Sequence, residues 1–322
     1  MSRRVQALVL ILLILTGLLA GWAPAGHGGA QGEPEPPDIN AGKFIVLSDY
    51  NEVLYARDEH QRSPPASLTK MMTAIVAVRT VSLDTVVTID EDDLVGEATM
   101  GLVAGDQVTI GDLLYGLLLP SGNDAAMAIA RGVGLALGGT DNDTAMQHFV
   151  DRMNQTAKLF QLRDTHFMNP HGLDQEHHFS SAYDMAIILR AALNYPQIRE
   201  RMQTQAVRVG ETYDLFNGND LVRDRTDYLG GKTGLTDGCG FCLAGAARSP
   251  EGRMVIAVVF DDDWSWFWDV SLLLDYGFEL MELRGVPAWA EPTLVGSQLS
   301  QIPNSSTPQV ATSGTTGQGG GP

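Results

Sequence analysis

Lysine is scarce in this chain of 322 residues: Lys43, Lys70, Lys158 and Lys232 are its four lysines, and every other basic residue among the 21 is arginine. Arginine therefore serves wherever a plain positive charge suffices. The few lysines stand out for what a guanidinium cannot do, which is lose its proton near neutral pH when crowded or buried. Cysteine is scarcer still. Cys239 and Cys242 are the whole supply, too few for a framework of several disulfides. Positive charge is short overall, with 39 acidic residues and a formal net charge of -18, which argues against a nucleic-acid partner because phosphate backbones draw basic surfaces. Internal repeats are absent. Hydrophobic residues, at 44%, suffice to bury one large core or two smaller ones.

Both ends read as segments outside the folded unit. Arg3 and Arg4 precede the apolar run ALVLILLILTGLLAGW and then small residues, the layout of a secretory signal peptide over residues 1–30, with candidate cleavage sites after Ala25 or near Ala30. The length of the run also admits an uncleaved membrane anchor. Either way the remainder is expected outside the cytoplasm. Residues 286–322 are expected to be a disordered tail. From Ser297 to Pro322 they carry no charge and much Ser, Thr, Gly and Pro, too little apolar surface to offset the entropy of ordering. Residues 38–285 are left for one folded unit.

Within that unit, KFIVLSD and VLYARD around the turn-like YNE read as a hairpin. A helical region follows, its apolar residues recurring every three or four positions in SLTKMMTAIVAVRTV, IGDLLYGLLLP, NDAAMAIARGVGLAL, DTAMQHFVDRMNQTAKLFQL and SAYDMAIILRAALNY. Strands return in YLGGKTGLT, GFCLAGAAR and RMVIAVVF, and WDVSLLLDYGFELMEL reads as a closing helix. Strands near both ends and helices between them predict an α+β fold, one antiparallel sheet completed by the two ends with a mostly helical insertion.

Three short motifs carry chemistry. In PPASLTKMMTA, Ser67 and Lys70 stand three residues apart at a helix start, so the amine can reach the hydroxyl as a base reaches a nucleophile. The free N–H groups of that helix start can stabilise an oxyanion. A solvent-facing pair is the plain alternative, since S-x-x-K is expected about 0.2 times by chance from this composition. In LLLPSGNDAA, Ser121 and Asn123 flank Gly122 between two helical runs, where a hydroxyl can relay a proton and a carboxamide can bind a peptide group; simple helix capping would account for them equally well. In LGGKTGLT, Lys232 and Thr233 offer a cation and a hydroxyl to an anionic substrate end, and Gly234 allows close approach of a backbone; a charged edge strand is the ordinary alternative. Jointly the motifs outweigh those alternatives, because S-G-N and K-T-G are expected only about 0.05 and about 0.03 times by chance.

S-x-x-K, S-x-N and K-T-G in this order resemble the signature of penicillin-binding proteins and class A β-lactamases. The S-G-N form, with FMNPHGLD, SAYDMA and GGKTGLTDGCGFCLAGAAR, is similar to the low-molecular-mass D-alanyl-D-alanine carboxypeptidases, serine peptidases of S11 type, from about Asn40 to Arg284. The resemblance implies the β-lactamase/transpeptidase-like fold and a serine D-Ala-D-Ala carboxypeptidase acting on peptidoglycan stem peptides, with β-lactam antibiotics as inhibitors and no cofactor or metal. It implies Ser67 as acyl-ester nucleophile, Lys70 as general base and Ser121 as proton relay. Asn123 would orient the acyl-side amide, and Lys232, Thr233 and Gly234 would bind the terminal carboxylate side. The backbone N–H groups of Ser67 and Leu235 would form the oxyanion hole.

Longer members of that family carry a second, β-rich domain and often an amphipathic membrane helix; here only the tail is seen after Arg284, so any membrane association is expected through the N-terminal segment. Cys239 and Cys242, at a strand entrance rather than a helix start, are expected to be a structural pair, either bridged or reduced. His166, His171, His177 and His178 lack the spacing of a known zinc motif. Three other functions compete. A D,D-endopeptidase of peptidoglycan cross-links would use the same residues. A β-lactamase lacks support because no E-x-x-L-N pattern follows NPHGL. A penicillin sensor without turnover would want a signalling domain, and none is visible.

Overall fold

The sheet is assembled from the two ends of the folded unit. The computed structural model describes residues 33–286, so the leader and tail expectations lie outside the described residues. From Pro36 onward the described chain clusters as one unit. Strands β1 (Lys43–Ser48) and β2 (Val53–Arg57) pair as the expected hairpin. Three late strands, β7 (Tyr228–Thr236), β8 (Gly240–Arg248) and β9 (Met254–Asp262), complete an antiparallel sheet in the order β2-β1-β9-β8-β7. Among the described residues the first and last strands thus lie side by side, with Ile45 opposite Val258, and β7 is left at an edge.

Alternation along the strands divides the core. Ile45, Leu47, Ala244, Ile256 and Val258 face the helical region, whereas Phe44, Val46, Leu243, Val255 and Val259 face the closing helix, so the central strands read as continuous apolar runs. The helices of the insertion are α1 (Thr69–Thr80), α2 (Ile110–Leu118), α3 (Asn123–Ala136), α4 (Asn142–Leu159), α5 (Ala182–Leu193) and α6 (Pro196–Gln203). A one-turn α7 (Leu221–Asp224) and α8 (Trp266–Leu283) follow. Their starts are chemically signed: Thr109, Asp141 and Ser181 each accept a backbone N–H from the first turn of α2, α4 and α5.

Two small hairpins were not legible in the sequence. β3 (Val86–Thr88) pairs with β4 (Gln107–Thr109), and β5 (Ala206–Val209) with β6 (Tyr213–Phe216). Strands of three or four residues are too short for a clear period-two signal. Among the described residues no helix is long and apolar enough to cross a membrane.

Candidate active site

Ser67 sits where a turn becomes a helix. Pro64 and Pro65 precede the helix rather than opening its first α turn; a single 3-10 turn, Ala66–Leu68, leads into α1. Side chains at i and i+3 eclipse in 3-10 geometry, which stacks Lys70 on Ser67. The two atoms that matter, Lys70 Nζ and Ser67 Oγ, are 2.7 Å apart. Ala66 adopts φ +47, a left-handed conformation at the residue before Ser67.

Lys70 is fully buried, and its Nζ meets two further oxygens, Asn123 Oδ1 at 2.8 Å and the His171 carbonyl at 2.8 Å. A neutral amine has two N–H donors and one lone pair. The two carbonyl oxygens take both donors, and the lone pair is left facing the Ser67 hydroxyl. Electrostatics favours the same state: burial, reinforced by the Lys232 charge, pushes Lys70 well below the usual lysine range. The arrangement can accept a proton from Ser67.

Asn123 does not cap its helix. Its Nδ2 donates to the Gly96 carbonyl (2.8 Å) and its backbone N–H to Ala98 O (2.8 Å), while Oδ1 serves Lys70. Only 2% of the residue is exposed. Asp124, the next residue, accepts the backbone N–H groups of Met100, Gly101 and Leu102 and so fastens the loop that Asn123 leans on. Ser121, at φ +65, precedes this helix start in a strained conformation. Its Oγ lies 3.0 Å from Lys232 Nζ.

Lys232, 1% exposed, also donates to the Thr233 carbonyl at 2.8 Å. Gly234 lies against the Ser67 turn: a Cβ there would stand 3.0 Å from Ser67 N, 3.0 Å from Ala66 Cβ and 2.7 Å from Cys242 Sγ. Leu235 follows on the edge strand, where outward N–H groups have no strand partner. Ser67, Lys70, Ser121, Asn123, Lys232 and Gly234, from three distant stretches of chain, therefore lie together, with Thr233 and Leu235 carried beside them on β7.

Four participants carry no motif of their own. His171 contributes its carbonyl to Lys70, and its ring Nδ1 accepts Leu173 N–H, with burial lowering its pKa to about 3. Gly172 (φ +96) passes so close to Ala66 that a Cβ would be 1.8 Å from its carbonyl oxygen. Asp174 accepts Thr236 Oγ1 (2.8 Å) and Gly238 N–H (2.9 Å), tying the His171 loop to the end of β7. His178, held neutral by burial with a pKa of about 4, accepts Met168 N–H at Nδ1 and so donates from Nε2 to Thr69 Oγ1 at 2.9 Å, bracing α1. The stretch NPHGLD holds three of the four, but nothing in residue type alone points to a backbone carbonyl as the functional group. Cys239 and Cys242 are both free and buried, and Cys242 Sγ packs under the turn, 3.7 Å from Pro65 O. Among the described residues no cluster of His, Cys, Asp and Glu is placed to hold a metal.

The cleft has a pH signature. Burial lowers the Lys232 pKa to about 7. If its ammonium binds an anionic substrate end, kcat/KM falls as pH rises through about 7, since that ratio reports the free enzyme. The stability term runs the other way. The folded value lies below the unfolded one, so the unfolded chain binds more protons between the two and the Lys232 contribution to stability grows as pH rises from about 7 toward the ordinary lysine range. Parallel pH profiles of kcat/KM and of the denaturation midpoint, for the wild type and Lys232→Gln, check both signs; the variant should lose the fall in kcat/KM through about 7 and show a smaller rise in stability above it, the rest of which belongs to Lys70.

Comparison with known proteins agrees with this geometry. Residues 30–264 match the peptidase S11 family, described as D-alanyl-D-alanine carboxypeptidase. The chain is 37% identical over 244 residues to the D-alanyl-D-alanine carboxypeptidase DacD of Escherichia coli, covering 71% of this chain and 60% of that protein. It is 34% identical to DacB2 of Mycobacterium tuberculosis, over 80% of this chain and 89% of the relative. The chain thus spans about three fifths of DacD but most of DacB2. Among solved structures, the Streptomyces K15 DD-transpeptidase superposes with a TM-score of 0.71 at 29% identity, covering 76% of this chain and 99% of that one. With the sheet, the helical insertion and the three motifs in one cleft, this chain belongs to the peptidase S11 family of D-alanyl-D-alanine carboxypeptidases.

Proposed function

We propose that the chain is a serine-type D-Ala-D-Ala carboxypeptidase that removes the terminal D-alanine from peptidoglycan stem pentapeptides through an acyl-enzyme at Ser67. The observation that carries this reading is the Lys70 amine, fully buried, with two carbonyl oxygens on its hydrogens and Ser67 Oγ at 2.7 Å. Ser67 Oγ attacks the carbonyl between the two D-alanines as its proton moves to Lys70 Nζ. The oxyanion is held by the N–H groups of Ser67 and Leu235. The C–N bond then breaks, and the departing amine receives through Ser121 a proton in place of the one that left Ser67. Lys232 and Thr233 hold the terminal carboxylate, and Asn123 holds Lys70 and orients the acyl-side amide. Water hydrolyses the ester and restores Ser67. A β-lactam follows the same first step, and its opened ring stays tethered.

Residues 38–285 form the catalytic domain in this reading, residues 1–30 carry it out of the cytoplasm as a leader or anchor, and residues 286–322 are a tail. The cleft needs no cofactor. Incubating the protein with a pentapeptide ending in D-Ala-D-Ala and with cross-linked muropeptide tests the substrate choice. Free D-alanine from the pentapeptide, absent with Ser67→Ala, is the expected result. Cleavage of the cross-link alone would assign a D,D-endopeptidase, and activity surviving in Ser67→Ala would overturn the nucleophile.

A further inference from the structure

Five residues after the triplet that ends at Gly234, the chain turns back, and an aromatic row begins. Leu235, 54% exposed, pairs across the sheet with Phe241. The Phe241 ring contacts Trp264 (centroids 4.7 Å apart) and Trp266 (5.0 Å), and Trp266 contacts Phe267 (4.6 Å). Trp264, at the end of the row, is 85% exposed, and Trp268, two positions after Trp266 on α8, is 67% exposed. Soluble chains seldom leave contiguous large apolar rings in water, and such patches mark interaction sites. Nothing in the proposed chemistry at Ser67 uses this row.

We propose that this row is a saccharide platform that seats the glycan strand from which the stem peptide hangs. The inference rests on the carboxypeptidase reading for its choice of polymer. The charge around the rings selects the occupant. Three aspartates are exposed on the same stretches, Asp237 in the turn before Phe241 and Asp261 and Asp263 on either side of Asp262, the strand partner of Phe241; Lys43, the cation at this end of β1, is paired with Asp261 at 3.3 Å. A pyranose ring is uncharged: its C–H face stacks on an indole, and its hydroxyls donate to carboxylates. An anionic bilayer is repelled by the same aspartates and by a chain of net charge -18. A second copy packed face to face would set those aspartates against their own kind. Position fits as well, because Phe241, the first ring of the row, pairs across the sheet with Leu235, the residue that follows the K-T-G triplet on the edge strand.

The test uses the full chain and the double variant Trp264→Ala/Trp268→Ala, both side chains being exposed enough for the fold to survive, with thermal unfolding as the check. A neutral tetramer of β-1,4-linked N-acetylglucosamine should quench the tryptophan emission of Ser67→Ala protein and leave that of the Ser67→Ala protein carrying the double variant unchanged. KM for a glycan-bearing pentapeptide polymer should rise about ten-fold in the double variant, with the free pentapeptide unaffected. No response to the tetramer, or equal effects on both substrates, would overturn the platform. So would a blue shift of tryptophan emission on anionic vesicles that the double variant loses, or a wild-type dimer that the double variant dissociates. The tetramer titration needs no turnover, so it reads the platform even if the carboxypeptidase reading fails.

Discussion

Lys70→Arg should lower the rate of acylation by pentapeptide and by penicillin by at least about a thousand-fold, the order of effect expected when a general base is lost. The substitution keeps donors for Asn123 Oδ1 and the His171 carbonyl, the two oxygens that hold Lys70 in place. It removes the lone pair, because a guanidinium stays protonated under all relevant conditions. The wild-type amine is fully buried beside a second buried lysine, and both facts drive it toward the neutral form. Stopped-flow acylation with a chromogenic penicillin measures the loss, and an unchanged circular dichroism spectrum shows that the fold is kept. Retention of a tenth or more of the wild-type rate would mean that the proton leaves Ser67 by another route.

A second large loss is expected from a residue that touches no substrate. In Gly172→Ala the new Cβ would lie 1.8 Å from Ala66 O and 2.4 Å from its carbonyl carbon, at a φ of +96 that disfavours any side chain. Both obstacles are backbone, so no rotamer relieves them; the Ala66–Leu68 turn or the 169–175 loop must move. That turn carries Ser67, and that loop carries the carbonyl that fixes Lys70. The expected cost is about 1–3 kcal/mol of stability, from overpacking, together with an acylation rate about a hundred-fold lower, since misplacing reacting groups by an ångström costs on that order. Gly210→Ala is the control. It also has positive φ, but nothing stands near its Cβ, so it should lose stability alone. Thermal unfolding and acylation rates measured on both variants separate displacement of the nucleophile from simple backbone strain.

These two residues show what could be read from the sequence and what could not. Ser67 and Lys70 were legible because their spacing is a local fact: three positions along a turn put two side chains on one face. Ser121 and Lys232 were legible as motifs, yet the 3.0 Å contact between them spans 111 residues and appears only once β7 is laid beside the α3 start. The central strands of the sheet were legible because both faces are buried and their apolar runs are unbroken. Gly172, Asp174 and His178 were not assigned roles, for a common reason. Each acts through contacts to the backbone or to a distant hydroxyl, and sequence pattern carries no record of where a carbonyl will point. Asn123 was legible as a site residue but its first task differs from the one its type suggests: the amide oxygen is engaged by Lys70, so positioning the base comes before any contact with substrate.

Two assignments carry the proposed chemistry: Ser67 Oγ is the atom that is acylated, and Lys70 makes it reactive. Intact mass spectrometry after brief exposure to a penicillin, followed by peptide mapping, tests both at once. The predicted result is one adduct of the whole antibiotic per chain, on the peptide carrying Ser67, and no adduct in Lys70→Arg over the same interval. An adduct on any other residue, or labelling of Lys70→Arg as fast as the wild type, would contradict it.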